Sequence, residues 1–307
     1  MLVTLKDILG LCETAGCAVG SFNTPNLESI LAVIQSAEEL DVPVIIQHAE
    51  GHESIMPLKT IGPIMLELAE KAKVPVAVHL DHGESLNYIY TALAMGFTSV
   101  MYDGSVLPFD ANAANTRLVV SMAKKTGASV EAEIGCMGRR ETGAQREFAG
   151  SADPAKIYTD PEEARRFVDA TGIDALACSF GTTHGVYVTE PKLDFRVVEQ
   201  VRDKAHVPVV MHGGSGVSRE DFRTAIKKGV RKVNYYTYMA IAGGQNVADQ
   251  FRMGCIPVEH KGKKYKYCYS LIESEKDVPI LYHDIVNWGT KAMQENCKRA
   301  MEIFAMK

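Results

Sequence analysis

Short runs of apolar and β-branched residues recur along the chain. Each ends in polar residues or glycine, and each is followed by a stretch with apolar residues at helical spacing. The runs are AVGSFN (18–23), VPVIIQH (42–48), VPVAVHLDH (74–82), SVMYDGS (99–105), SVEAEIG (129–135), ALACSFG (175–181), VPVVMHGG (207–214) and KVNYYT (232–237). They are mostly continuous rather than alternating, as expected for strands covered by helices outside and packed inside. Three open with Val-Pro, and proline, which lacks an N–H, suits the first position of a strand.

The intervening stretches read as helices. Leu27 to Leu40 carries apolar residues at helical spacing. Asp160-Pro161-Glu162-Glu163 reads as an N-cap, a proline at the first helical position and a glutamate completing a capping box. Ser218-Arg219-Glu220-Asp221 is a similar start. Eight strands alternating with helices give a parallel sheet. The count favours closure into a TIM (β/α)8 barrel, with an open doubly wound sheet as the alternative. No linker or low-complexity segment interrupts the chain, so residues 1–307 read as one barrel domain, a length such barrels reach.

The rhythm breaks after the eighth strand. A helical stretch from Met239 to Phe251 is followed by GCIPVEHKGKKYKYCYSLIESEKDVP (254–279), then by a final helix from about Tyr282. This basic, tyrosine-rich insertion reads either as a surface hairpin or oligomer contact, or as a wall of the substrate pocket.

Composition narrows the class. Hydrophobic residues make up 46% of the chain, enough for one large core, and the net charge of −5 argues against a nucleic-acid partner. The amino terminus lacks a basic region followed by an apolar run, and no apolar stretch reaches the ~18 residues of a membrane span. Seven cysteines without CxxC spacing suit a reducing cytoplasm.

The chemistry gathers at the strand ends. The strands end, in order, in Asn23, in Gln47-His48, in Asp81-His82, in Asp103, in Glu133, in Gly181-Thr182-Thr183-His184-Gly185, in His212-Gly213-Gly214-Ser215-Gly216 and in Asn234. In a parallel barrel these share the rim that carries active sites. His82, His184 and His212, with Asp103 and Glu133 nearby, suggest a transition-metal site with three imidazole ligands and an open position. A single histidine would more often be a hydrogen-bonded core or loop residue; three at strand ends, each near glycine, favour ligation. His79 lies inside a strand and His206 at a strand start, so neither suits ligation, whereas His48 is near enough to the rim to support a ligand. The Gly213–Gly216 turn precedes a helix start, where backbone N–H groups can cradle an anion. Thr237 is placed to complete that cradle.

HLDHG (79–83), VEAEIG (130–135), YTDPEEA (158–164), the THG of 183–185 and the HGGSG of 212–216 resemble, in order, the class II metal-dependent fructose-bisphosphate and tagatose-bisphosphate aldolases. The resemblance runs from about Leu5 to Thr237. It implies Zn2+ on His82, His184 and His212, with Asp103 and Glu133 near it or at a second cation position. It implies Asp81 as the acid/base at the C4 hydroxyl of a ketose, and Glu141, on the loop after the fifth strand, as a proton-transfer residue at C3. Gly185, Gly213, Gly214, Ser215, Asn234 and Thr237 would hold the dihydroxyacetone-phosphate half, and Asn23 would lie near the substrate. A glycolytic, cytoplasmic homodimer or homotetramer acting on a small sugar phosphate, with no nucleic-acid or membrane partner, completes the expectation.

Two stretches depart from the family pattern. Arg139-Arg140 stands before Glu141 where a glycine and acidic run is usual. After the eighth strand, Asn234 is followed by Tyr235, Tyr236, Thr237 and Tyr238, with tyrosines where acidic residues usually stand, and the next arginine is only at Arg252. The tyrosines predict a retained first phosphate site and a different second half of the substrate, hence an atypical ketose phosphate. Three rival functions fit the chain less well. A Schiff-base aldolase needs a desolvated lysine at a strand's C-terminal end, and Lys232 reads as the start of its strand. A metallohydrolase commonly carries His-x-His on the first strand, where this chain has Gly20-Ser21-Phe22-Asn23. A non-catalytic sugar-phosphate sensor would not need the full acid/base and metal set.

Overall fold

A computed structural model describes residues 1–135, 158–183, 185, 192–253, 255–260, 263–268 and 281–307, with the side chains of 252–268 left aside. Eight parallel strands pair in sequence order and close on themselves: β1 (Val19–Asn23), β2 (Val44–Ala49), β3 (Val76–Gly83), β4 (Ser99–Tyr102), β5 (Ser129–Ile134), β6 (Ala175–Cys178), β7 (Val209–Met211) and β8 (Val230–Tyr235). Helices α1 (Leu5–Ala15), α2 (Leu27–Leu40), α3 (Leu58–Lys71), α4 (Leu86–Met95), α5 (Phe109–Ala123), α6 (Pro161–Thr171), α7 (Phe195–Ala205) and α8 (Arg219–Lys228) precede, connect or follow them. The molecule is therefore a TIM barrel, and the open-sheet alternative falls.

Local sequence explains the boundaries. Asn26 caps α2 by accepting the Ser29 N–H at 3.1 Å, and Asp160 caps α6 by accepting the Glu163 N–H at 2.8 Å. Each such cap contributes about 1 kcal/mol. The three Val-Pro pairs stand just before their strands, which begin at Val44, Val76 and Val209. There the prolines give up no ladder N–H, and Pro75 and Pro208 still accept from Val44 and Leu176 through their carbonyls. The eighth strand starts at Val230, two residues before its expected start at Lys232.

The strands are less uniformly apolar than their runs suggest, because they alternate between two environments. Val44, Ile46, Val76, Val78 and Leu80 belong to the large core between the sheet and its helices. The alternate positions point into the barrel. Its lower half is apolar: Val19, Ile45, Ala77, Ala175, Ala177 and Val210 pack on Leu5, Ile8, Leu9 and Cys12 of α1, which closes the N-terminal end. Its upper half is polar, with Ser21, Gln47, His79, Glu131 and Lys232 buried below Asn23, Asp81, Glu133, His212 and Asn234.

Beyond the barrel, α9 (Thr237–Met253) runs against α10 (Tyr282–Phe304), which also packs along α2. Between them β9 (Cys255–His260) pairs antiparallel with β10 (Lys263–Cys268), so the insertion contains the hairpin that one reading anticipated. Among the described residues no helix is long and apolar enough to cross a membrane.

Candidate active site at the C-terminal rim

Strand alternation explains how Asp81 enters the barrel, and it would send His82 out into the helical layer. Two local features prevent this. The β3–β4 pairing shifts register between Leu80 and Gly83, and His82 adopts a left-handed backbone with φ of 42°. That conformation costs a non-glycine residue roughly 1–2 kcal/mol. It lets consecutive residues face one site: ligand atoms of Asp81, His82 and His212 lie within 4.8 Å of one another. A second group, His82, Asp103 and Glu133, meets the same limit and shares His82. The rings of His82 and His212 are 4.6 Å apart, and Glu133 Oε2 is 3.5 Å from His212 Nδ1.

Each imidazole is oriented by a carboxylate on its other nitrogen. Asp103 Oδ2 lies 3.0 Å from His82 Nδ1, and Glu131 Oε1 lies 2.8 Å from His212 Nε2. A neutral ring that donates to a carboxylate presents its second nitrogen, with its lone pair, to a metal. His82 would thus offer Nε2 and His212 would offer Nδ1. Asp103 is further fixed at Oδ1 by the backbone N–H of Ser105 at 3.1 Å and its hydroxyl at 2.5 Å. Two oriented imidazoles beside Glu133 form a donor set that fits a zinc-like cation. His184 lies outside the described residues, as does Glu141. Their neighbours bear on the first of these: Thr183 packs on Gly213 so closely that a Cβ at 213 would meet its carbonyl oxygen at 2.4 Å. Gly213, at φ 67°, is therefore required both by its backbone and by this approach.

Asp81 is supported by three side-chain amides. Asn234 donates to its Oδ1 at 2.9 Å, while Asn23 at 3.3 Å and Gln47 at 3.2 Å donate to its Oδ2. Burial alone would raise the Asp81 carboxyl. The charges of His82, Lys232 and His212 outweigh it and hold the group far below the usual carboxylate range. Two residues expected against the substrate, Asn23 and Asn234, thus spend an amide on Asp81. Gln47, which the sequence reading named only as a strand end, is the third donor and is itself held by the Ser21 hydroxyl at 2.5 Å.

Beside Asp81 a small pocket is lined by Gln47, Gly185, Gly213, Gly214, Ser215 and Asn234, and by Tyr235, Tyr236 and Thr237. All the residues expected to grip the phosphate half meet here. Thr237 opens α9, two residues earlier than the expected helical stretch, so its N–H belongs to a helix N-terminus. The tyrosines divide. The Tyr235 ring packs against the core, 5.9 Å from Phe22 and 6.1 Å from Phe304. Tyr236 packs on His52 at 5.0 Å and presents its N–H to Ser215 Oγ at 3.4 Å.

His48 is buried on the outer side of β2. Its Nε2 is 3.1 Å from the Tyr88 hydroxyl, which donates to Glu53 at 2.5 Å. It supports the β2–α3 loop rather than a metal ligand, and burial pushes its imidazole down to about 4. Glu50 ties the same loop to the start of α4, accepting from the backbone N–H groups of Glu84 at 2.7 Å and Ser85 at 3.1 Å. Lys232 is the chief correction to the sequence reading. Because β8 begins at Val230, Lys232 is inside the barrel, not at a strand start, and its Nζ is 2.9 Å from Glu131 Oε2. Glu131 was also overlooked. The signal was there: stepping back two residues along a strand from Glu133 and Asn234 gives Glu131 and Lys232.

The chain is similar to known proteins along its whole length. The class II fructose-bisphosphate aldolase family model matches residues 3–307. A probable fructose-bisphosphate aldolase of Bacillus subtilis is 39% identical over 267 residues, covering 86% of this chain and 90% of that protein. The fructose-bisphosphate aldolase of Staphylococcus aureus is 39% identical over 253 residues, covering 81% and 85%. Among solved structures, the YdjI aldolase of Escherichia coli K12 superposes with a TM-score of 0.80 at 32% identity, over 99% of this chain and 97% of that one. The chain belongs to the class II fructose-bisphosphate aldolase family and is an aldolase, a carbon–carbon lyase.

Proposed function

We propose that the chain cleaves a ketose phosphate reversibly into dihydroxyacetone phosphate and an aldehyde, in a metal-dependent reaction at this rim. The observation that carries the reading is the placing of one ionised carboxylate, Asp81, between the His82–His212 pair and the Gly213–Thr237 pocket. Zn2+ would be held by His82, His184 and His212, with Glu133 alongside and Asp103 orienting His82. When bound, the cation supplies Lewis-acid stabilisation of the charge left on the ketose oxygens.

The protein's own groups do the rest. Asp81 takes the proton of the C4 hydroxyl as the C3–C4 bond breaks, and returns it in the condensation direction. Its three amide donors keep it aimed, and the charges around it keep it ionised. Gly185, Gly213, Gly214, Ser215, Asn234 and Thr237 bind the phosphate half, and Asn23 orients Asp81 beside it. Glu141 handles the proton at C3, a role that rests on the family resemblance. The whole chain, 1–307, acts as one catalytic unit in a cytoplasmic, glycolytic-type homodimer or homotetramer, again by resemblance.

A second reading concerns the aldehyde half. Tyr236 packed on His52 stands where family members usually carry acidic residues, which supports an atypical ketose phosphate. Retro-aldol rates on fructose 1,6-bisphosphate and tagatose 1,6-bisphosphate, with and without chelator, test both readings. Chelator-insensitive turnover refutes metal dependence. A kcat/KM above ~10⁴ M⁻¹s⁻¹ on either sugar, typical of a native substrate, refutes the atypical one.

A further inference from the structure

His212 at the rim and three side chains one layer beneath it, Glu131, Lys232 and His79, are sealed from solvent, each 0% exposed. Glu131 is their hub. Its Oε1 meets His212 Nε2 at 2.8 Å and its Oε2 meets Lys232 Nζ at 2.9 Å. His79 stands 3.7 Å from the same Oε2 and is anchored at Nδ1 by the Ser99 hydroxyl at 2.6 Å. Burial pushes the His79 imidazole down to about 3, so it adds no charge.

Stability is a weak reason to keep such a pair inside a barrel. Taking a lysine and a glutamate out of water is costly, and well-packed apolar residues of similar volume are commonly as stable or more so. The half of the barrel just below is filled by valine, isoleucine and alanine. What the pair does provide is a carboxylate of fixed charge and direction on the far side of His212. We infer that Glu131 and Lys232 are positioning residues that set the metal affinity of the site through His212. Glu131 holds His212 with the proton on Nε2, which turns Nδ1 toward Glu133 and the rim. Lys232, 2.9 Å from the other carboxylate oxygen, holds Glu131 in place. Neither residue belongs to the proposed ligand set or lines the pocket. This inference rests on the metal-dependent reading above.

The test measures metal binding rather than turnover. Glu131→Gln alone would strand a buried lysine, so the informative variant is Glu131→Gln/Lys232→Met, which removes both charges together. Zn2+ affinity is read by competition with a chromophoric chelator, and Co2+ in the same site by its visible spectrum. The double variant should bind Zn2+ roughly 10- to 100-fold more weakly, the range found for loss of a ligand's supporting partner, with an altered Co2+ spectrum. Unchanged affinity and spectrum overturn the inference. Should the variant not fold, the wild-type protein decides: nitrogen-detected NMR of the Zn2+-loaded form should find His212 protonated at Nε2 and metallated at Nδ1. Metal on Nε2 overturns the inference. The two readings fail separately. Weakened Zn2+ binding in a chain that cleaves no ketose phosphate upholds the positioning pair and refutes the activity. A wild-type chain that binds neither Zn2+ nor Co2+ refutes both.

Discussion

Replacing Asp81 by asparagine keeps the side chain's shape and removes its charge, and the structure gives two separate magnitudes for the result. The first is catalytic. A positioned general acid/base contributes ~10²–10⁴-fold, so kcat/KM for retro-aldol cleavage should fall by that factor. The second is structural. Asp81 accepts from three buried amides, those of Asn23, Gln47 and Asn234. An asparagine offers one acceptor oxygen and turns an NH2 toward at least one of these donors. A buried donor left without a partner costs about 1–3 kcal/mol. Rotation of the Asn23 or Asn234 amide can recover part of this, while Gln47 is held in its present sense by Ser21. The net loss should be about 1–3 kcal/mol, at roughly 1.5 °C of Tm per kcal/mol in a chain of this size. Coupled kinetics on a cleaved ketose phosphate, metal content per chain and thermal unfolding separate the two terms. If the variant keeps its metal and its fold yet loses less than tenfold in kcat/KM, Asp81 is not the acid/base.

Three further outcomes follow from the geometry. Gly213→Ala forces a Cβ to 2.4 Å from the Thr183 oxygen at a φ of 67°; the backbone must move, so KM should rise far more than kcat falls, and unchanged steady-state kinetics would refute the cradle. Burial would lower the His82 imidazole, but the Asp81 charge and the Asp103 hydrogen bond outweigh it and push the group up to about 10. Because this folded value exceeds the unfolded one of about 6.5, the stability it gives chelator-treated protein is complete below about pH 6.5 and is lost as pH rises toward 10; a ligand nitrogen must also be deprotonated, so Zn2+ added at pH 8 should release a proton from His82, and a weakly buffered indicator assay showing no release would contradict this. His82→Ala and His212→Ala should each abolish stoichiometric metal binding, as measured by elemental analysis after dialysis, while a variant that keeps one ion per chain would exclude that histidine as a ligand.

The sequence by itself determined the elements and their order. Apolar runs, Val-Pro starts and caps such as Asn26 and Asp160 act over a few residues, so their effect is readable locally. The strand count made a barrel legible, and the barrel rule put the strand-end residues on one rim. Tertiary structure decided which of those residues meet, and through which atoms. His82 faces the site only because a register shift and a left-handed backbone override the alternation that its position in the strand would impose. Asp81 is held by amides from β1, β2 and β8, and β8, last in the chain, comes round to it only once the sheet closes. Tyr235 and Tyr236 are adjacent in sequence, yet one ring belongs to the core and the other packs on His52 at the rim. Lys232 shows the limit most sharply. Two residues of uncertainty at the start of β8 separate a lysine at a strand end from a lysine sealed beside Glu131, since inside a barrel a side chain's environment is set by its height along the strand as well as by the face it shares.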